Sequence, residues 1–287
     1  TLLHVPELAE GIMPFIRFLD QESALEPRHR SLLLLRTAWL THSQYHWSVF
    51  AAAGREAGLT DAELRRVAVG PDADGWNDFD ATHLRLADEL YQNSYVSGQT
   101  WTTLGVRYNL LQMVEAVMNV NEFTLLSMML NSMGTQPNDW TTDRLPTDVA
   151  YRVSTPEREP PLVNPRIAPL EGRGIRVTRT FGRHPRLSAV QGGTYNFVLG
   201  ASPLTDHDRE LLILRIGYLC GAEYEWGQHS RIARQVGLSD AEIVRVDVDL
   251  GLVGHLRHDL GQGERGVARV LAVERGESDQ AVHAALA

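Results

Sequence analysis

Glu225 and His229 stand four residues apart, the spacing that puts a carboxylate and an imidazole side by side on one face of a helix. The apolar residues Ala222, Trp226, Ile232, Ala233 and Val236 recur at helical spacing over 222–236, and Glu225 and His229 complete their stripe. Two ionisable groups are therefore expected to face a core. A carboxyl withdrawn from water has its pKa raised, and an imidazole titrates near neutrality, so the pair suits general acid/base work. Glu210, on the preceding helix of an antiparallel hairpin, is expected to reach both and to tune or orient them. A satisfied structural hydrogen bond inside a hairpin has the same spacing, and spacing alone leaves both readings open.

The neighbouring residues carry weaker signals. Glu223, Tyr224 and Trp226 are candidate substrate contacts. Glu223 also fits a solvated, dipole-favoured carboxylate in a first helical turn, on the side of Arg231 and Arg234. Tyr224 and Trp226 recur as Tyr45 and Trp47 earlier in the chain, which fits packing. His42 and His46 are two imidazoles without a third ligand, a poor zinc site, and no metal is expected. Cys220, the single cysteine, reads as a weakly reactive or buried structural thiol. No glycine-rich phosphate loop or nucleophile elbow is present.

The elements that must position these groups are organised by an internal repeat. Residues 28–69 align without a gap to 207–248, at an offset of 179, with 17 of 42 positions identical. They share Leu-Arg at 35–36 and 214–215, Tyr-x-Trp at 45–47 and 224–226, and Gly-Leu-x-Asp-Ala-Glu at 58–63 and 237–242. The register reaches back to Pro6 and Pro185. At the candidate site the first copy carries Ser31, His46 and Phe50 in place of Glu210, Glu225 and His229.

Each copy reads as helical. Thr205 with Asp208 resembles a capping box before the run to Leu219, Gly221 breaks that run, a second helix follows to Val236, Gly237 stands at a C-terminal cap, and Ser239 with Glu242 opens a third helix. No period-2 strand pattern is found, so the expected fold is all-α, with tandem helical-hairpin modules. The expected organisation is a first module over 1–134, a Pro-rich linker over 135–179 and a second module over 180–287 that lacks the final helix of the first. A hairpin without that cover exposes apolar surface, to be covered by a neighbouring subunit or by the first copy.

The chain has 287 residues, 43% hydrophobic and 22% charged, with a formal charge of −9. That charge gives no general attraction for nucleic acid or an anionic membrane. The most apolar stretch, 110–133, is interrupted by Glu115, Asn119, Asn121 and Glu122, so it reads as a buried core helix rather than a membrane span, with Met113, Met118, Met128, Met129 and Met133 as packing filler. One cysteine and the absence of a signal sequence make a cytoplasmic location the expectation.

The segments Arg209-Glu210-Leu-Leu-Ile-Leu-Arg215, Glu223-Tyr-Glu-Trp-Gly-Gln-His229 and Gly237-Leu-Ser-Asp-Ala-Glu242 resemble the carboxymuconolactone decarboxylase family, which includes the alkylhydroperoxidase-D-like thiol enzymes. The resemblance covers about 5–134 and 180–248, and implies an all-helical fold that associates into dimers, trimers or hexamers, with its site at the hairpin near an interface. In the thiol enzymes a Glu precedes a Cys-x-x-Cys pair followed by a His. Those positions fall here on Glu210, Ala222, Glu225 and His229, so the redox pair is gone and peroxide reduction should not carry over.

What the resemblance leaves is a cofactor-independent lyase or isomerase acting on a small organic acid or lactone-like substrate. His229 would be its general acid/base, Glu225 the partner or proton donor and Glu210 the orienting group. A non-catalytic helical binding or assembly protein is the alternative from another class, and a metal-dependent enzyme using Glu210, Glu225 and His229 is a third.

Overall fold

A computed structural model of the chain describes residues 4–159, 162 and 164–246. Over these residues the fold is all-α, with no strand. The helices are α1 (Pro6–Gln21), α2 (Pro27–Leu40), α3 (Gln44–Glu56), α4 (Asp61–Val69), α5 (Asp78–Asn93), α6 (Gly98–Gly105), α7 (Leu110–Ser132), α8 (Arg176–Phe181), α9 (Pro185–Asn196), α10 (Asp206–Leu219), α11 (Glu223–Gln235) and α12 (Asp240–Arg245). A π-helical stretch, Phe197–Ala201, follows α9. The repeat is also structural: α2 and α3 have the same bounds as α10 and α11 once the offset is applied, and α1, α4, α9 and α12 start in register.

The shared boundaries have shared causes. Thr60 and Ser239 each accept the backbone N–H of a glutamate three residues on, and Glu63 and Glu242 reciprocate, closing two capping boxes. Gly58 and Gly237 adopt φ of 87° and 98°, the left-handed conformation that glycine takes without strain. Leu59 and Leu238 then bond back to the carbonyls of Gly54 and Ala233 and bury their side chains.

The described residues divide into two compact units, one ending at Ala201 and the other beginning at Ser202. In the first, every residue of α2 from Ser31 to Leu40 is buried, because α3, α4, α5 and α7 pack around it. Arg36 is fully buried among them. Its Nε and Nη2 donate to the Asp88 carboxylate at 2.6 and 3.0 Å, and its Nη1 donates to the carbonyls of Val67 and Ala68 at 2.9 and 2.8 Å. In the second unit Arg215 makes the equivalent bond to the Val246 carbonyl at 2.7 Å.

The helix α9 belongs to the second copy by repeat and to the first unit by packing. It crosses α1 at Gly11 and Gly193 so closely that a Cβ on either would lie 2.6–2.7 Å from the other's carbonyl oxygen. His184 fastens the same helix. Its Nδ1 accepts the Leu187 N–H at 3.2 Å, so its Nε2–H donates to Glu115 on α7 at 2.8 Å. The division of contacts at 201/202 therefore falls after the repeat boundary at 179/180.

The described residues of the Pro-rich segment contain no helix between Ser132 and Arg176, in keeping with its prolines. It does not behave as a free tether. Asp143 takes a two-pronged bond from Arg55 at 2.7 and 2.8 Å, Gln44 clamps the Asp143 carbonyl and the Leu145 N–H, and Tyr151 stacks on Trp39 at 5.1 Å. The α7 methionines also depart from expectation. Met113 is buried, but Met128 and Met133 are each 53% exposed, so they do not fill a core in this unit. A helix apolar on two faces reads as buried all round, although only one face meets the unit's core.

Burial pushes the His46 and His83 imidazoles down to about 4. A histidine that resists protonation when folded makes no loss above the unfolded value near 6.5, and destabilises increasingly as pH falls toward 4. Between pH 7 and 5 each is expected to cost on the order of 2 kcal/mol. Burial raises Glu122 to about 7, and its protonation on folding offsets part of that loss. NMR titration should place both imidazole midpoints near 4, and a midpoint above 6 for either would contradict the packing described.

Candidate active site

In the second unit, α10 and α11 form the hairpin that the sequence predicts, with Gly221 at φ 57° turning the chain between them. Thr205 caps α10 by accepting the Asp208 N–H at 3.1 Å and donating its hydroxyl to the Asp208 carboxylate at 2.7 Å. Leu214, Trp226, Ala233, Leu238 and Ile243 make the small core that holds the two helices together.

Glu210 is 1% exposed. Its Oε2 lies 2.7 Å from Nδ1 of His229, whose side chain is 12% exposed. A carboxylate oxygen has no proton to give, so Nδ1–H is the donor, and the lone pair of the neutral ring stands on Nε2. Nε2 faces Glu225 Oε2 at 3.6 Å. The Glu225 side chain is 44% exposed, which corrects the expectation that both members of the i, i+4 pair face a core. Position on a helix fixes the direction in which Glu225 leaves the backbone, but only three dimensions show that nothing covers it. The hydrogen-bonded partner of His229 is thus Glu210, and Glu225 is the solvent-facing neighbour.

The arrangement is a buried carboxylate, an imidazole held in one tautomer and a second carboxylate open to water. Its chemical capability is directional proton transfer at Nε2, with any positive charge on the ring stabilised by Glu210.

Of the other predicted residues, Glu223 and Tyr224 are exposed in the first turn of α11. Trp226 is 3% exposed and part of the core, the packing role that its recurrence as Trp47 suggests. Its Nε1–H and the Ser230 hydroxyl, one turn apart on α11, are buried without a partner among the described residues.

Arg209 was missed by sequence reasoning. It donates to Asp206 at 2.8 Å and holds its Nε 3.6 Å from Glu210, so a positive charge borders the buried carboxylate. It recurs as Arg30, but only the second copy has a glutamate beside it.

The first copy shows the same hairpin without the chemistry. His46, the Glu225 equivalent, stacks on Phe50 with centroids 5.2 Å apart, meets the edge of Phe123, and bonds Ser127 at 2.8 Å through Nδ1. His42 packs its ring against Tyr151. The two imidazoles are engaged separately, and among the described residues no three His, Cys, Asp or Glu side chains are grouped as a metal ion would require. Cys220 caps the C-terminal end of α10 at intermediate exposure.

The outer face of α10 is uncovered among the described residues. Leu212, Ile216 and Leu219 are 60%, 57% and 52% exposed, while Leu33, Thr37 and Leu40, their counterparts on α2, are at most 1% exposed beneath α5 and α7. The expectation that the second copy lacks a final helix concerns residues outside those described.

The family model of the carboxymuconolactone decarboxylase family matches residues 6–85 and 188–249, one segment in each copy of the repeat. No curated protein and no solved structure matches the chain.

Proposed function

Because the chain belongs to the carboxymuconolactone decarboxylase family, we propose that its second hairpin is a cofactor-independent acid/base site. It would act as a lyase or isomerase on a small carboxylated, lactone-like acid. The observation that carries this reading is the 2.7 Å bond from His229 to the buried Glu210, which leaves Nε2 free beside a water-exposed carboxylate. The first copy, with Ser31, His46 and Phe50 at these places, is scaffold.

In the proposed reaction the substrate carboxylate sits next to an electron-withdrawing lactone carbonyl. The C–C bond breaks, carbon dioxide leaves, and the electron pair passes to the enolate. A proton taken from water through Glu225 makes His229 an imidazolium, which Glu210 stabilises, and Nε2–H then delivers that proton to carbon. One proton is consumed for each carbon dioxide released, and the enzyme returns to its starting state. The thiol chemistry of the peroxidase branch is not proposed, because Ala222 and Glu225 stand at the two cysteine positions.

The reading keeps the modules at 1–134 and 180–287 as units of descent, joined by 135–179. It takes the cytoplasm as the location and self-association as the assembled state. No described helix is long and apolar enough to cross a membrane.

A panel of carboxylated lactones, followed by carbon dioxide release and substrate loss, tests the proposal. Wild type should turn over at least one compound, and Glu225→Gln should be slower on it by a smaller factor than any change at His229, because water can replace a relay that already faces solvent. A panel without turnover would move the reading to a non-catalytic helical binding protein.

A further inference from the structure

The whole of α7 carries two charged residues, Glu115 and Glu122, and both are buried. Its other face is uncharged for about 35 Å, the length of a 23-residue helix. Along the edge of that face Leu111, Val114, Met118, Asn121, Leu125, Met128 and Ser132 follow one another at alternating spacings of three and four, the heptad seam of paired helices, with Val114 and Met118 half-buried against the unit's own core and the other five exposed. Leu125 and Met128 are 46% and 53% exposed. A helix face meant for water carries lysines and glutamates. One that is rich in methionine and depleted of charge has the composition of an interface core.

We infer that the outer face of α7 is the surface through which two copies of this chain associate, α7 against α7 about a two-fold axis. Three observations select a second copy as the occupant. Each chain carries a formal charge of −9, so copies repel through most surfaces, and this face lets them meet without opposing like charges. The stripe has two or three apolar residues on each side of the central Asn121 and ends at Ser132, so an antiparallel pairing sets Leu111 against Ser132, Val114 against Met128 and Met118 against Leu125 of the mate. It also brings the two Asn121 side chains together, and an amide is its own complement, with both donor and acceptor. The inference rests on the proposal that the chain self-associates, adds the surface to it, and is independent of the acid/base chemistry.

Sedimentation velocity on the full chain tests it. Wild type should sediment as an assembly of at least two 32.0 kDa chains, and Leu125→Glu/Met128→Glu should reduce the mass twofold or more. Because both side chains are exposed, helical circular dichroism should be unchanged, and melting should fall only as far as the loss of association requires, to the value wild type shows when diluted until it dissociates. Val106→Glu, at a position 79% exposed and outside the stripe, should leave the mass unaltered. Asn121→Cys in a Cys220→Ser background should give a covalent dimer on mild oxidation. A monomeric wild type would overturn both self-association and this surface. An assembly indifferent to charges on α7 would overturn the surface alone, and a monomeric variant that melts below the diluted, dissociated wild type would overturn it too, by showing that residues of the same chain cover the face.

Discussion

His229→Phe is expected to lower turnover by about 10²- to 10⁴-fold while the hairpin remains folded. The loss corresponds to roughly 3–5 kcal/mol of transition-state stabilisation, since each factor of ten is about 1.4 kcal/mol. The hairpin is expected to fold, since the first copy places Phe50 at the equivalent position, 8% exposed, but with a lower melting point, because Phe50 faces Ser31 and not a buried carboxylate that loses its partner. The substitution removes the imidazole that would pass a proton from Glu225 to the substrate carbon, and leaves Glu210 without its hydrogen bond to His229. Glu210→Gln separates the two roles. The amide fits the same space, but cannot neutralise an imidazolium, so turnover should again fall while stability changes little. A His229→Phe variant that keeps a third or more of wild-type turnover, with circular dichroism unchanged, would remove His229 from the chemistry.

The largest expected effect on stability lies in the first unit. Arg36→Met leaves the Asp88 carboxylate and the Val67 and Ala68 carbonyls buried without their donor. Burial already pushes the Asp88 carboxyl up in spite of the guanidinium. Removing one partner of such a pair costs about 3–5 kcal/mol, a large share of the roughly 5–15 kcal/mol that holds a domain together. The urea midpoint of the first unit should drop accordingly, or the variant should fail to fold. Arg36→Met/Asp88→Leu should recover much of the loss, because a buried pair replaced by apolar groups leaves no orphaned charge. A single variant that loses less than about 1 kcal/mol would show that water reaches the pair.

The repeat, the helix order and the hairpin were legible because their causes are local: caps at Thr60 and Ser239, glycines at 58 and 237, and an apolar stripe on α11. Glu210 and His229 were legible as partners because the hairpin brings their helices together. What sequence reasoning missed depends on covering. Glu225 occupies the same stripe as Trp226, yet it stands 44% exposed because no described side chain closes over it. Met128 and Met113 are the same residue on one helix, and only packing distinguishes the bare face from the filled one. The placement of α9 was equally hidden, since a crossing at two glycines leaves no apolar pattern to read.

That crossing also fixes how the chain can be divided. Gly11 answers Gly193, whereas the repeat would match Gly11 to Val190 and Gly193 to Pro14, so the two halves are no longer interchangeable at their point of closest approach. A gene cut at the end of the first repeat would encode a product whose α1 has lost the helix it leans on, and a second product burdened with an unsupported α9. The compact unit that holds α1 and α9 together ends at Ala201, not at the seam of the duplication. Inheritance and architecture have come apart here, and recombination that respects one would break the other.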